Sequence, residues 1–263
     1  MRLGQHSQTI LSRGLLTALA ILFSVAAQAA MCERAYTIRV TKNFPPYYMT
    51  DESGTHSGLE VQFARMVMKA AGCEFRLVIR PWRRALLQLE MGDLDILGVA
   101  SRTPEREVYS HFSTPYRREV VGLAVRRMDL NREIKSLEDL ARMNLSAVYL
   151  RGAYHGPNFA NFEKTEAHDK AFRPVTTVFD SVIALQKERI DAILTDMIAM
   201  SIYFDDQGLD DVLAVHDYVE YENNVHFMLS RKSVSDGEVH MINAAIQQVL
   251  ANPENPFARW LPK

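Results

Sequence analysis

The order of strand-like and helix-like segments near the amino terminus constrains the fold more than any other feature of this chain. Three stretches are typical of strands: the alternating "YTIRV" (36–40), "EFRLVI" (74–79) and the nearly all-apolar "LDILGVA" (94–100). Two helix-like stretches, "GLEVQFARMVMKAAG" (58–72) and "WRRALLQLEMG" (82–92), separate them. This β-α-β-α-β order predicts a parallel, doubly wound sheet that binds ligands at the carboxyl ends of its strands.

A second α/β series follows the extended run "PYRREVVGLAVRR" (115–127), which interrupts the alternation. Its predicted strands are "NLSAVYL" (144–150), "FRPVTTV" (172–178) and Ile190–Leu194. The last helix-like stretch is "EVHMINAAIQQVLA" (238–251). The spacing predicts that four of its side chains lie on the same side of the helix. That side comprises Met241, Ala244, Ala245 and Val249.

Two α/β series linked by two extended segments predict an α/β protein with two doubly wound lobes and a two-segment hinge. We place the hinge crossings near Val120–Val125 and Val225–Leu229. The first lobe is then discontinuous, with residues 30–122 and 226–263. Residues 123–225 form the second lobe.

Residues 1–29 have the features of a secretory signal peptide. Arg2 and Arg13 precede an apolar stretch, and Ala27-Gln28-Ala29 provides a small-x-small cleavage site. The apolar core is shorter than the roughly 18–20 residues that span a bilayer, which argues against a retained anchor. We expect cleavage after Ala29 and an exported, soluble product.

The charge and the cysteines narrow the choice of partners and compartment. Without residues 1–29, two of the 30 Lys and Arg residues are lost, and the remaining 28 against 32 Asp and Glu give a net charge of −4. That balance gives no reason to expect nucleic acid or an anionic membrane as partner. Cys32 and Cys73 precede two predicted parallel strands that begin on the same side of the sheet, so an oxidising compartment favours a disulfide between them.

Two charged positions at strand ends are candidates for binding the ends of a zwitterion. Arg106 follows the strand that ends near Ser101, where its guanidinium and the Ser101 hydroxyl suit a carboxylate. Asp196 follows the Ile190–Leu194 strand and suits an ammonium group. The alternatives are a surface arginine in a loop and an N-cap aspartate, and Asp196 can serve as cap and ligand contact together.

Aromatic residues and a glycine turn complete the candidate set. Phe44 and Trp82 each follow a strand of the first lobe, where they pack against a ligand or belong to the core. Gly152, Ala153 and Tyr154 form a strand-to-helix turn whose N–H groups suit an anion, although most such turns bind nothing. The sequence contains no nucleophile elbow, phosphate loop or metal-ligand spacing among its histidines, so we expect no catalytic residue, metal or cofactor.

With these residues in view, the chain resembles the polar-amino-acid branch of the periplasmic solute-binding proteins, which have the type II periplasmic-binding fold. The resemblance rests on three stretches: "GLEVQFARMVMKAAG", "DLDILGVASRTPEREVYSHFSTPY" (93–116) and "RIDAILTD" (189–196). It covers nearly all of the chain after the signal.

The resemblance implies a role for each candidate residue. Arg106 matches the arginine that binds the ligand α-carboxylate, Ser101 the hydroxyl residue that assists it, and Asp196 the acid that receives the α-ammonium. Phe44 and Trp82 match side chains that pack around the ligand. Tyr154 departs from the family, which usually has Thr or Ser there.

The implied function is capture of a small zwitterion or carboxylate, above all an amino acid, for ABC-type uptake by an inner-membrane permease. We expect a periplasmic monomer that is not an enzyme. Two alternatives are a periplasmic dehydratase on the same scaffold and a sensor module that acts in trans on a membrane partner.

Overall fold

The computed structural model describes Cys32 and residues 34–260, so the predicted signal peptide lies outside the described residues. The strands, numbered in chain order, are β1 (Tyr36–Val40), β2 (Asn43–Phe44), β3 (Tyr48–Thr50), β4 (His56–Ser57), β5 (Phe75–Ile79), β6 (Ile96–Ser101), β7 (Ser110–Phe112), β8 (Arg117–Arg126), β9 (Ala147–Leu150), β10 (Phe172–Val175), β11 (Ala192–Asp196) and β12 (Leu213–Ser230). The helices are α1 (Leu59–Ala71), α2 (Trp82–Met91), α3 (Pro104–Glu107), α4 (Leu137–Arg142), α5 (Pro157–Phe162), α6 (Glu166–Ala171), α7 (Val182–Gln186), α8 (Met197–Asp206) and α9 (Asp236–Leu250).

Nine strands form one mixed sheet in the order β10-β9-β11-β8-β12-β6-β1-β5, with β7 paired to β12. Strand β1 lies parallel to β5 along its whole length and parallel to β6 on its other side. In the other half of the sheet, β9 lies parallel to both β10 and β11. The predicted α/β fold with two parallel series is therefore confirmed.

Strands β8 and β12 join the two halves of the sheet. The 18-residue β12 pairs with β8 from Leu213 to Val225, and with β6 and β7 from Val225 to Ser230. Strand β8 pairs on its other edge with β11. We call β5, β1 and β6 with their helices the first half, and β8 to β11 with theirs the second half. The lobe boundaries at 122/123 and 225/226 stay a prediction.

The helix predictions succeed where the apolar pattern is strong. Gly72 caps the carboxyl end of helix α1; its φ of 69° is left-handed, and its N–H donates to the Lys69 and Met68 carbonyls. Such a conformation favours glycine, because other residues strain there. The predicted side of α9 was wrong at Ala244, which is exposed. Its buried side comprises Val239, Ile242, Ala245, Ile246 and Val249.

One predicted strand is shifted along the chain by two residues. We expected Ile190–Leu194, whereas β11 covers Ala192–Asp196. Ala192 through Leu194 pair with both β8 and β9, and this double pairing places the strand in the sheet centre. Asp196 is therefore the last residue of the strand rather than a loop residue after it.

The predicted disulfide is present. Cys32 and Cys73 are bonded across a sequence separation of 41, with their Cα atoms 5.1 Å apart. The bond joins the segment before β1 to the segment before β5, which the parallel pairing of these strands places at the same edge of the sheet. Within the described residues, no helix combines the length and apolarity that crossing a membrane demands.

Candidate ligand-binding cleft

A cleft lies where the carboxyl ends of β1 and β6 face the ends of β9, β10 and β11. The space between the atoms of the cleft, with the part open to solvent included, is about 750 Å³ and is called the cavity below. All six residues predicted to bind a ligand line this cavity: Phe44, Trp82, Ser101, Arg106, Tyr154 and Asp196. The structure thus brings together residues that are up to about 150 positions apart in the sequence, although their roles toward a ligand stay a prediction.

Arg106 is held in the cleft by backbone carbonyls. The Thr103 side chain caps the short helix α3 by accepting a hydrogen bond from the Arg106 N–H. This bond fixes the backbone from which the Arg106 side chain extends. Nη1 donates to the Ser101 carbonyl at 2.9 Å and Nη2 to the Gly152 carbonyl at 3.3 Å. No carboxylate in the described part of the chain forms an ion pair with it. Burial lowers the pKa of Arg106, and a bound anion would offset that cost.

The carbonyl of Gly152 joins the two halves of the molecule across the cleft. It accepts a hydrogen bond from Trp82 Nε1 at 3.0 Å in addition to the one from Arg106. Trp82 and Arg106 belong to the first half, and Gly152 belongs to the second. The φ of Gly152 is 77°, so the turn that presents this carbonyl needs a glycine.

Aromatic side chains form the apolar walls of the cleft. Phe44 contacts Phe179 edge-to-face at a centroid distance of 5.3 Å, which is another contact between the halves. Tyr154 packs edge-to-face on Tyr221 at 5.6 Å, so the bulky residue at this turn is held against β12. Burial raises the pKa of Tyr154, which keeps its hydroxyl neutral. Phe44, Trp82 and Tyr154 therefore combine core packing with exposure to the cavity.

Asp196 caps helix α8, and its second oxygen is also occupied. Oδ1 accepts from the Ile198 N–H at 2.9 Å and the Ala199 N–H at 3.3 Å. Oδ2 accepts from Arg117 Nη1 at 3.1 Å and Tyr47 Oη at 3.0 Å. The N-cap alternative is thus confirmed, and the carboxylate already has four donors.

Arg117 is the central residue that the sequence analysis missed. Its side chain has no exposed surface and lies between Glu60, at 2.9 Å from Nε, and Asp196. Its guanidinium also lies 4.1 Å from the centre of the Tyr47 ring. Although burial disfavours its charge, Tyr47, Asp196 and Glu60 hold the pKa of Arg117 well above its ordinary value. The sequence feature that could have indicated Arg117 is the alternation in "YRREV", which places Arg117 and Glu119 on one face of a buried strand.

Two further charged residues line the cleft and were also missed. Glu119 accepts a hydrogen bond from Asn223 Nδ2 at 3.2 Å, and burial together with the nearby Asp196 raises its pKa to about 7. Arg39, on β1, lies 5.3 Å from the Trp82 ring centre and donates to the Arg80 carbonyl. Burial lowers the pKa of Arg39.

Among the described residues, His155 is the one histidine that lines the cavity. Burial, with a contribution from the positive charge of Arg106, lowers its pKa to about 3, so it is neutral. Its ring packs on Tyr149 and Phe159. In the described part of the chain, no three His, Cys, Asp or Glu side chains are grouped so as to hold a metal ion.

The sequence profile of the bacterial extracellular solute-binding proteins, family 3, matches residues 36–255. That match covers most of the chain, and the chain belongs to this family. The fold and the cleft between its two halves agree with a protein that binds a solute there. The family resemblance proposed from the sequence is confirmed.

Curated relatives are periplasmic binding proteins. The octopine-binding periplasmic protein of Rhizobium meliloti is 26% identical over 216 residues, which cover 74% of this chain and 72% of that protein. The probable histidine-binding protein of Neisseria gonorrhoeae is 24% identical over 248 residues, or 90% of this chain and 87% of that one.

Solved structures confirm the fold. The substrate-binding protein of an ABC uptake transporter from Streptococcus pneumoniae, with bound histidine, superposes with a TM-score of 0.73 at 19% identity, over 86% of this chain and 92% of that one. An ancestral amino acid-binding protein, AncCDT-1, described as a precursor of cyclohexadienyl dehydratase, gives a TM-score of 0.70 at 21% identity, over 87% and 96%.

Proposed function

We propose that this protein captures a small ligand with a carboxylate and an ammonium group, an amino acid or a close derivative, between its two halves. One observation carries the proposal. Among the described residues, the buried guanidinium of Arg106 has only carbonyl groups as hydrogen-bond partners, and it lines the same cavity as the acidic side chains of Glu119 and Asp196. A cavity with opposite charges on its walls suits a ligand with opposite charges at its ends.

The proposed binding step uses Arg106 and Ser101 for the carboxylate, with Phe44, Trp82 and Tyr154 around the remainder. Asp196 contributes negative charge at the opposite wall. Because these groups come from both halves, a ligand that contacts all of them binds the closed arrangement better than an open one. Removal of one partner of a desolvated charge pair costs about 2–5 kcal/mol of binding free energy.

The proposed setting is the periplasm, with delivery of the ligand to an ABC permease by a monomer that performs no chemistry. The names of the relatives support this setting, because those proteins are described as periplasmic and as binding octopine or histidine. A sensor role would involve a different membrane partner. Gene neighbours distinguish them: a permease gene supports uptake, and a sensor kinase gene supports signalling.

The test is a thermal-shift screen of the common amino acids, octopine and small dicarboxylates, followed by calorimetry on each hit. A ligand that binds only the folded state raises the melting temperature. Arg106→Ala should abolish the shift. The matched control is Arg102→Ala, because Arg102 lies just before helix α3, close to Arg106 in the sequence, with a side chain 60% exposed, and it should bind normally. Equal affinity of the Arg106 variant and the wild type would contradict the proposal.

An enzymatic function is a second candidate, since the cavity contains a carboxyl group whose pKa is about 7. Burial and Asp196 raise the pKa of Glu119 into the range where a general acid or base works best. Such a group is what a dehydratase on this scaffold would need. Incubation with prephenate or arogenate decides between the candidates: an aromatic product that Glu119→Gln fails to form would establish catalysis.

A further inference from the structure

Glu119 lines the cleft, and membership of the family assigns no role to it. It lies on β8 directly opposite Asn223 of β12. Asn223 Nδ2 donates both to Glu119 Oε2, at 3.2 Å, and to Ser101 Oγ, at 2.9 Å. One amide group therefore connects the acidic wall of the cleft to the hydroxyl proposed to assist carboxylate binding. A ligand held at Ser101 lies beside Glu119 as well.

Glu119 and Asp196 differ in the hydrogen-bonding capacity that they have left. The two oxygens of Asp196 accept four hydrogen bonds, and its side chain is only 1% exposed. Glu119 accepts a hydrogen bond from the neutral Asn223 amide and forms no ion pair within the described part of the chain. A carboxylate offers about four acceptor positions. Glu119 therefore has acceptor positions for a ligand, and Asp196 has to release Arg117 or Tyr47 first.

The charges around the cavity support the same distinction. Glu60 and Asp196 both form ion pairs with Arg117, so both negative charges are engaged in the protein itself. The guanidinium of Arg106 donates to two backbone carbonyls, and a bound anion would give it a charged partner. Glu119 is the acidic residue of the cavity lining that has no cationic partner within 4.0 Å among the described residues. A buried carboxylate of this kind is stabilised by a cation.

We infer that Glu119, positioned by Asn223, accepts the cationic amine of the ligand, while Asp196 acts mainly through Arg117. This inference rests on the proposed function and makes it more specific, because the ligand must carry a protonated amine within reach of its carboxylate. An α-hydroxy acid of the same skeleton would satisfy Arg106 and Ser101, but it would leave Glu119 without its partner.

The test compares three amino acids with their α-hydroxy counterparts: histidine with imidazolelactate, phenylalanine with phenyllactate, and glutamate with 2-hydroxyglutarate. Calorimetry should show that the wild type prefers an amino acid over its counterpart by about tenfold or more. Glu119→Gln should remove the preference while the hydroxy acid still binds. Glu119→Asp keeps the charge and should retain part of the preference, which guards against a variant that simply folds poorly.

The matched control is Glu222→Gln, because Glu222 lies beside Asn223 on β12 with a side chain that is 51% exposed, and it should keep the preference. A Glu119→Gln variant with the wild-type preference overturns the inference. Equal binding of both members of a pair by the wild type also overturns it, yet leaves carboxylate capture standing. Binding of none of the six probes, nor of any compound in the screen, overturns the proposed function and this inference together.

Discussion

Arg117 Nη1 lies 3.1 Å from Asp196 Oδ2, and the two side chains are 0% and 1% exposed. Such a buried ion pair connects strand β8 to the end of β11, directly beneath the cleft. Glu60 completes the arrangement from helix α1, at 2.9 Å from Arg117 Nε. A residue predicted to contact the ligand is thus also part of the protein's own structural framework, so its substitution affects folding as well as binding.

The first prediction separates the charge of Asp196 from its capping role. Asp196→Asn keeps an oxygen for the Ile198 and Ala199 N–H groups but leaves Arg117 with one carboxylate. We expect a loss of about 1–3 kcal/mol in the free energy of unfolding, since Arg117 and Tyr47 lose a charged hydrogen-bond acceptor while Glu60 remains paired with Arg117. Asp196→Ala should lose about 1 kcal/mol more through the cap. Urea unfolding with both variants measures the two contributions.

The control for that experiment is the surface pair between Arg118 and Glu222. Glu222→Gln removes an exposed ion pair and should change the stability by less than about 1 kcal/mol. If Asp196→Asn unfolds like the wild type and yet binds no ligand, Asp196 is a direct ligand contact rather than a structural partner of Arg117.

The second prediction concerns the Cys32–Cys73 bond. It closes a loop with a sequence separation of 41, for which the chain-entropy relation gives about 4 kcal/mol of stabilisation. Addition of a reductant should lower the stability of the wild type by about that amount. The double variant Cys32→Ser with Cys73→Ser should show the lower stability at once and no response to reductant. If complete reduction of the disulfide leaves the unfolding curve of the wild type unchanged, the prediction is wrong.

Apolar periodicity predicted the fold because each half of the sheet is built from consecutive segments. The run "LDILGVA" is buried on both faces, so its composition alone indicated a central parallel strand. The cleft residues were found for a similar reason, since Arg106 and Asp196 lie at strand ends where parallel sheets bind ligands.

The hydrogen-bonding partners of those residues lay beyond such reasoning. Arg117 and Glu60 are 57 positions apart, and no local pattern indicates that helix α1 supplies a carboxylate to β8. Asn223 and Ser101 are 122 positions apart and meet only because β12 crosses from one half of the sheet to the other. Long-range pairs of this kind depend on strand register, which the sequence left undetermined.

The third prediction concerns closure of the cleft. Trp82 Nε1 donates to the Gly152 carbonyl of the other half at 3.0 Å. Trp82→Phe keeps an aromatic wall but removes this hydrogen bond. A typical net hydrogen bond contributes about 0.5–1.5 kcal/mol, so we expect ligand affinity to fall by roughly two- to tenfold. Calorimetry with a hit from the thermal-shift screen measures it.

The control for Trp82→Phe is Leu87→Ala on the same helix. Leu87 is 53% exposed and should leave the affinity unchanged. Unchanged affinity in Trp82→Phe would show that the contact between Trp82 and Gly152 makes no contribution to the ligand-bound state.

The last prediction concerns the dependence of stability on pH in the absence of ligand. Burial and the neighbouring Asp196 raise the pKa of Glu119 from its ordinary value of 4.5 to about 7, although Arg117, Asn223 and Arg106 act in the opposite direction. Between these two values the folded state holds a proton that the unfolded state has lost. The contribution of Glu119 to stability is therefore complete below pH 4.5, falls as the pH rises, and is lost above about pH 7.

The amide introduced by Glu119→Gln does not ionise, so the variant should gain stability relative to the wild type as the pH rises. We expect the difference in unfolding free energy between the variant and the wild type to grow by about 1–3 kcal/mol from pH 5 to pH 8. Urea unfolding of both proteins at each pH measures this change, and Glu222→Gln, which alters an exposed group, should show none of it. A difference that stays constant across the range would mean that Glu119 is already ionised at pH 5, with a cation nearby that satisfies it.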